Sequence, residues 1–253
     1  MYVLSVANQK GGVSKTTTVQ ALGVLFRERG RGVLCVDLDP QGNLSFAMGA
    51  DLDEVPTIYN VLKGEVGVRD ILQRTGSGDV LPANMLLSGA DAEFTATGRE
   101  YLLKEALGQI AGEYEYVLID CPPALSILTI NAFAAADFVI VPAMADVFSL
   151  QGMAQLHDTI SSVRKYCNPH LKVAGILLTR FNPRTKLSGH IQQLLDGATK
   201  SMDTILFRTY IRSSVSLQES QYQRENMFDY DSRSNAMVDY AEFLKELEVV
   251  VNG

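Results

Sequence analysis

The stretch QKGGVSKTTT at residues 9–18 gathers two lysines, two glycines, one serine and three threonines into ten positions. Backbone N–H groups of a glycine-rich turn and of a helix N-terminus converge on an anion, and a lysine at the helix start reaches terminal phosphates. Lys15 has that place, and Thr16 after it offers a hydroxyl to a magnesium ion. Gly11 and Gly12 permit close backbone approach, and Val13, Ser14 and Thr17 complete the loop. The strict phosphate-loop spacing G-x-x-x-x-G-K-[ST] would put glycine at positions 9 and 14, where this chain has Gln9 and Ser14. A glycine turn with an exposed lysine is the bland alternative; the strand-loop-helix context and the Gly-Lys-Thr spacing favour nucleotide. For Ser14 two readings stand. At a position of positive φ, serine costs about 1 kcal/mol or obstructs the phosphate. At a helical start, its hydroxyl caps the helix or faces an oxygen.

Carboxylates recur at the ends of apolar runs. CVDLDPQGN carries Asp37 and Asp39, and VLIDCPP carries Asp120. A carboxylate after a strand is suited to hold a magnesium-bound water, and a second one to orient an attacking water. Each alone has a commoner use as a turn residue or helix N-cap. Their coincidence with the lysine loop favours chemistry.

These residues need a scaffold that brings strand ends together. Runs at 2–7, 32–38, 114–120, 137–143 and 171–179 are apolar and rich in β-branched residues, with a shorter strand expected at 79–83 and a further one at 203–207. A helical pattern runs from Lys15 to Gly30, and a last helix is expected from about Ala236 to Val250. Near-continuous apolar strands alternating with helices indicate an α/β fold, a mostly parallel twisted sheet with helices on both faces. With 253 residues, 47% hydrophobic and 20% charged, the expectation is one domain over 1–253. The chain starts on a β-rich run without a basic leader, and no apolar stretch reaches the roughly 18 residues of a membrane helix, so a cytoplasmic protein is expected. Cys35, Cys121 and Cys167 are far apart and show no metal or disulfide spacing. Net charge is −7, yet residues 164–212 hold nine basic and two acidic side chains, an excess that suits either an ordinary solvated surface or a polyanion.

Taken in order, NQKGGVSKTTT, VLCVDLDPQGN, YEYVLIDCPPAL and FVIVPAMADVFSLQGM resemble the deviant Walker A ATPases of the ParA type, which partition plasmids and chromosomes, and the resemblance covers nearly the whole chain. It implies a P-loop ATPase using ATP and Mg2+, with Lys10 as the signature lysine that reaches the partner's phosphates in a sandwich homodimer. It further implies Lys15 on the phosphates, Asp39 on the hydrolytic water, and Asp120 on magnesium through water; Asp39 is a second water-mediated contact to the ion. The implied cycle is ATP-dependent dimerisation, binding of non-specific DNA on the nucleoid, and release after slow hydrolysis stimulated by a centromere-binding ParB-type protein. Arg184 and Lys186 match a region that contributes DNA contacts. In TYIRSSVSLQES the family's loop arginines are replaced by Ser213 and Ser216, with Arg212 one position away; Asp146 stands where relatives often have glutamate. The absence of an N-terminal extension speaks against an added helix-turn-helix. Two rivals share the deviant loop. A MinD-like membrane cycler needs a basic amphipathic C-terminus, and here Lys245 faces Asp239, Glu242, Glu246 and Glu248; partition-like ATPases that position other cargo remain closer. A biosynthetic ATP-dependent amidase or ligase needs a nucleophile or acid-base pair, and His157, His170 and His190 are isolated.

Overall fold

Six apolar runs lie side by side as parallel strands in the computed structural model, which describes residues 1–183, 195, 197 and 199–253. They are β1 (Tyr2–Val6), β2 (Val33–Asp37), β4 (Gly78–Leu81), β5 (Tyr116–Asp120), β6 (Phe138–Met144) and β7 (Lys172–Thr179). A short β3 (Gln73–Thr75) pairs antiparallel with β4 at one edge, giving the order β3-β4-β2-β5-β1-β6-β7. β2 and β5 are buried at every residue, as both-face coverage requires. Register matters for the site. Val6 and Asp37, the last residues of β1 and β2, both pair with Asp120, the last of β5. Three loops therefore leave the sheet at one point, the carboxyl-end crevice where open α/β sheets hold ligands.

Helices cover both faces. α1 (Lys15–Glu28), α2 (Asn43–Ala47), α3 (Ile58–Leu62), α4 (Ala90–Glu93), α5 (Leu102–Gly108), α6 (Ile127–Ala135) and α7 (Val147–Tyr166) precede β7, and α8 (Val215–Gln223), α9 (Met227–Asp231) and α10 (Asn235–Asn252) close the chain. One core lies between the sheet and α5, α6 and α7; the other is built on α1 and α10. α10 buries Met237, Tyr240, Phe243, Leu244 and Leu247, a helical stripe, and its Tyr240 hydroxyl lies 3.0 Å from Thr18 Oγ1 on α1. Phe26 of α1 stacks on Tyr116 of β5 at 4.0 Å between centroids.

The strand expected at 203–207 is reduced to a single bridge, Ile176 with Leu206, because the chain crosses β7 there only long enough to set the Phe207 ring over Gly175. The antiparallel β3 was not expected; with half-buried and exposed residues it lacks an apolar signal. α1 ends near Gly30, whose φ of 75° turns the chain toward β2. Among the described residues no helix is long and apolar enough to cross a membrane.

Candidate phosphate-binding site

The loop between β1 and α1 is held from behind. Asn8 donates its amide to the Pro142 carbonyl at 2.7 Å and accepts the Lys10 N–H at 3.0 Å. Thr179, at the end of β7, donates its hydroxyl to the Val13 carbonyl at 3.1 Å. Forward, the loop is open: a Cβ on Gly11 or Gly12 would meet nothing within 4 Å, and Gly12 has φ of 77°. Ser14 is left-handed at φ 66° and its side chain makes no capping bond, so of the two readings the strained one holds. Its carbonyl instead accepts the Thr18 N–H at 2.9 Å and the Thr18 hydroxyl at 2.7 Å. Lys15 is buried at the first helical position, its Nζ 3.3 Å from the Lys10 carbonyl. Burial lowers its pKa, against the pull of Asp120, Cys121 and Asp39 in the other direction. Lys10 turns the other way, and its ammonium pairs with the Asp146 carboxylate.

The carboxylates converge as their strand ends do. Thr16 donates its hydroxyl to Asp120 Oδ2 at 2.7 Å. Asp120 is fully buried, and its Oδ1 has no hydrogen-bond partner in the protein. Burial, with the Asp37 charge next to it, pushes its pKa well above the ordinary range. A buried carboxylate oxygen without a donor, beside a hydroxyl at the mouth of an open glycine cradle, fits a hydrated divalent cation between Thr16 and Asp120. Asp39 lies close by, buried, accepting the Gln41 N–H at 3.0 Å. Asp37 is fully buried and faces inward; it accepts the Asp39 N–H at 3.0 Å, the Ser45 N–H at 2.8 Å and the Ser45 hydroxyl at 2.7 Å. Burial, only partly offset by those bonds, raises its pKa to about 6. Cys121, in contact range of the same charges, has its thiol pushed far up by burial and is chemically quiet.

A cavity of about 470 Å³ opens in front of the loop, lined by Gly11, Gly12, Ser14, Lys15, Thr16, Thr17 and Asp39 and, from outside the loop and its carboxylates, by Phe46, Arg180, Gln221 and Tyr222. The first group was legible in the sequence; the second was not. Arg180 follows directly on β7 with φ of 50°, a position the strand-end rule would have flagged. Gln221 reaches Thr17 Oγ1 at 3.3 Å from α8, a contact across 204 residues that no local motif signals. Arg184 and Lys186 lie outside the described residues. Arg212, a candidate DNA contact by its place in the loop, is 41% exposed and pairs through Nε and Nη2 with Asp239, Nη2 also donating to the Asn235 carbonyl at 3.2 Å. Of the histidines, His157 is 3.5 Å from Ser161 on the surface of α7, His170 lies in the turn before β7, and neither lines the cavity; His190 is outside the described residues.

Residues 1–173 match a family model described as an AAA domain. Among curated proteins the chain is similar to the sporulation initiation inhibitor protein Soj of Bacillus subtilis, 37% identical over 99% of both chains. It is also similar to the chromosome partitioning protein ParA of Caulobacter vibrioides, 46% identical over 75% of this chain and 73% of that one. Among solved structures, cobyrinic acid a,c-diamide synthase of Mycobacterium smegmatis with bound ADP and magnesium superposes with a TM-score of 0.79 at 40% identity, covering 97% of this chain and 93% of that one.

Proposed function

This chain belongs to the ParA-type P-loop ATPases, and from that premise we propose that it binds and hydrolyses ATP with Mg2+ to drive the segregation of DNA. The observation that carries the reading is the meeting of Lys15, the Thr16–Asp120 pair and Asp39 at the ends of three neighbouring strands, in front of an open glycine cradle. Lys15 and the α1 N-terminus hold the phosphates. Thr16 would hold a magnesium ion directly and Asp120 and Asp39 would hold it through water, the ion supplying charge neutralisation at the phosphate oxygens. Asp39 also orients the attacking water. Lys10, released from Asp146, supplies a second positive charge to the partner subunit's phosphates in an ATP-bound homodimer. That arrangement ties hydrolysis to association, and association to binding of non-specific DNA on the nucleoid. A centromere-binding ParB-type protein is the stimulating partner. Arg184, Lys186 and Arg212 are the proposed DNA contacts, the last of them oriented by its pairing with Asp239.

The likeness to a cobyrinic acid a,c-diamide synthase supports a second reading, an ATP-dependent amide synthesis. Among the described residues neither a histidine nor a cysteine lines the cavity, so it offers that chemistry no imidazole base and no thiol nucleophile. Measuring DNA binding and oligomeric state of the purified chain without nucleotide, with ADP and with ATP separates the two. DNA retention and dimers only with ATP is the expected result. ATP turnover that ignores DNA but demands a carboxylic acid and an amide donor would replace the partition reading with the second.

A further inference from the structure

We propose that Ser45, acting through Asp37, is a positioning residue for the hydrolysis inferred above, on which this rests: it fixes the loop carrying Asp39 and ties that loop to the segment after β4. Asp37 sits at the end of β2, fully buried, and all three of its donors are neutral groups: the Asp39 N–H, the Ser45 N–H and the Ser45 hydroxyl. The chain thus leaves β2 at Asp37 and returns to the same carboxylate at Ser45, closing a ring of which Asp39 is a member. Inside the ring the Gly42 N–H donates to the Asp39 carbonyl at 2.9 Å and the Gln41 N–H to its carboxylate at 3.0 Å. Asp39 is therefore held by its own N–H, its carbonyl and its carboxylate.

The Ser45 hydroxyl has a second partner. While donating to Asp37 it accepts the Ala83 N–H at 2.9 Å, just past β4, and Ser45 itself is fully buried. Gln41 adds an outer link, its amide 3.8 Å from the Met85 sulfur. Met85 and Leu86 are more than half exposed. The hydroxyl is thus the junction between the segment that runs from buried Ala83 out to exposed Met85 and Leu86 and the loop of the water-orienting aspartate. A buried carboxylate bonded only to neutral donors is expensive, and apolar side chains of similar volume would pack this spot at lower free energy. Such a network persists where geometry matters more than stability, and positioning of Asp39 is the geometry it controls. Loss of the hydroxyl leaves the Ala83 N–H without its acceptor and the Asp37 carboxylate one donor short.

The test compares wild type, Ser45→Ala and Ser45→Thr, the last keeping the hydroxyl. For Ser45→Ala we expect nucleotide affinity within about threefold of wild type but kcat for Mg-ATP hydrolysis down by about tenfold or more, since sub-ångström misplacement acts on the transition state rather than on ground-state binding. Ser45→Thr should recover most of the rate. Hydrogen exchange should quicken in Ser45→Ala both at residues 37–45 and at 83–87, which a purely local defect would not produce. If Ser45→Ala does not fold, Ser45→Cys, similar in size with a weaker donor, carries the same split between kcat and affinity. Unchanged turnover in a folded Ser45→Ala, or parallel loss of affinity and rate, overturns the proposal. A wild-type chain that hydrolyses no ATP in any condition, with DNA included, instead sinks the ATPase reading on which it rests.

Discussion

Ser14 holds a backbone conformation that glycine adopts without strain, at φ 66° and with no side-chain bond in return. The strain, about 1 kcal/mol, is offset in part by the unfolded-state entropy that glycine would add, so Ser14→Gly should shift unfolding free energy by less than about 1 kcal/mol. A β-branched residue has no such latitude, and Ser14→Val should lose more than about 2 kcal/mol; urea unfolding of the three proteins measures both. Asp37 supplies a prediction in pH. Burial places its folded-state pKa at about 6, above the ordinary 3.8 of the unfolded chain. The folded state therefore keeps this proton longer, and stability from this group is full below the unfolded value and falls as pH rises through the interval up to about 6. The amount is up to roughly 3 kcal/mol. Stability of Asp37→Asn relative to wild type should accordingly improve by that order between pH 4 and 6.5; a difference independent of pH would show that Asp37 does not titrate there. Lys15, Thr16 and Asp120 were legible in the sequence because their signal is local: a glycine turn, a helix start, the end of an apolar run. The inward role of Asp37 and the reach of Gln221 to Thr17 were not, since each depends on partners supplied by folding.

At the level of elements, strands announced themselves where burial on both faces left no alternation to misread, as in β2 and β5. The 203–207 segment carries the same apolar composition but is spent on a side-chain contact instead of a ladder, and composition does not distinguish the two. That contact is testable. A Cβ at Gly175 in β7 would fall 2.3 Å from the Phe207 ring, which is itself buried and packed edge-on against Phe243 of α10 at 4.9 Å. Gly175→Ala should therefore destabilise by roughly 1–3 kcal/mol through overpacking. Pairing it with Phe207→Leu should return part of that loss, a non-additivity read from a double-mutant cycle. If the two changes simply add, the ring is free to move aside and the reason given for the missing strand is wrong. The terminal helix was legible in kind and nearly in extent. Its apolar stripe is already used against α1 and the sheet, and its carboxylates are occupied: Glu246 accepts the Arg208 N–H at 2.8 Å, Asp239 holds Arg212, and Glu248 pairs with Arg29. The stripe is therefore not free for a lipid interface, and on the solvent side Val238 and Val249 are the large hydrophobics exposed.

For the whole molecule the proposed switch makes two demands. Lys15→Ala removes the ammonium at the α1 N-terminus and should abolish ATP-dependent retention on DNA at matched salt, in a filter or surface-binding assay. Arg184→Glu should weaken DNA binding, with a shallower salt dependence, while ATP-driven dimerisation measured by light scattering stays intact. Equal DNA affinity would move the proposed surface elsewhere on the chain. The contact between Thr18 and Tyr240 has a further consequence, one of timing. Thr18 of α1 is synthesised 222 residues ahead of Tyr240, its partner on α10. Until residues 235–252 are synthesised, Val19, Leu22 and Phe26 lack part of their cover, and the loop in front of them is hung on an unfinished wall. A product cut short before Asn235 should therefore bind ATP more weakly than one that includes α10, a difference that equilibrium dialysis would read.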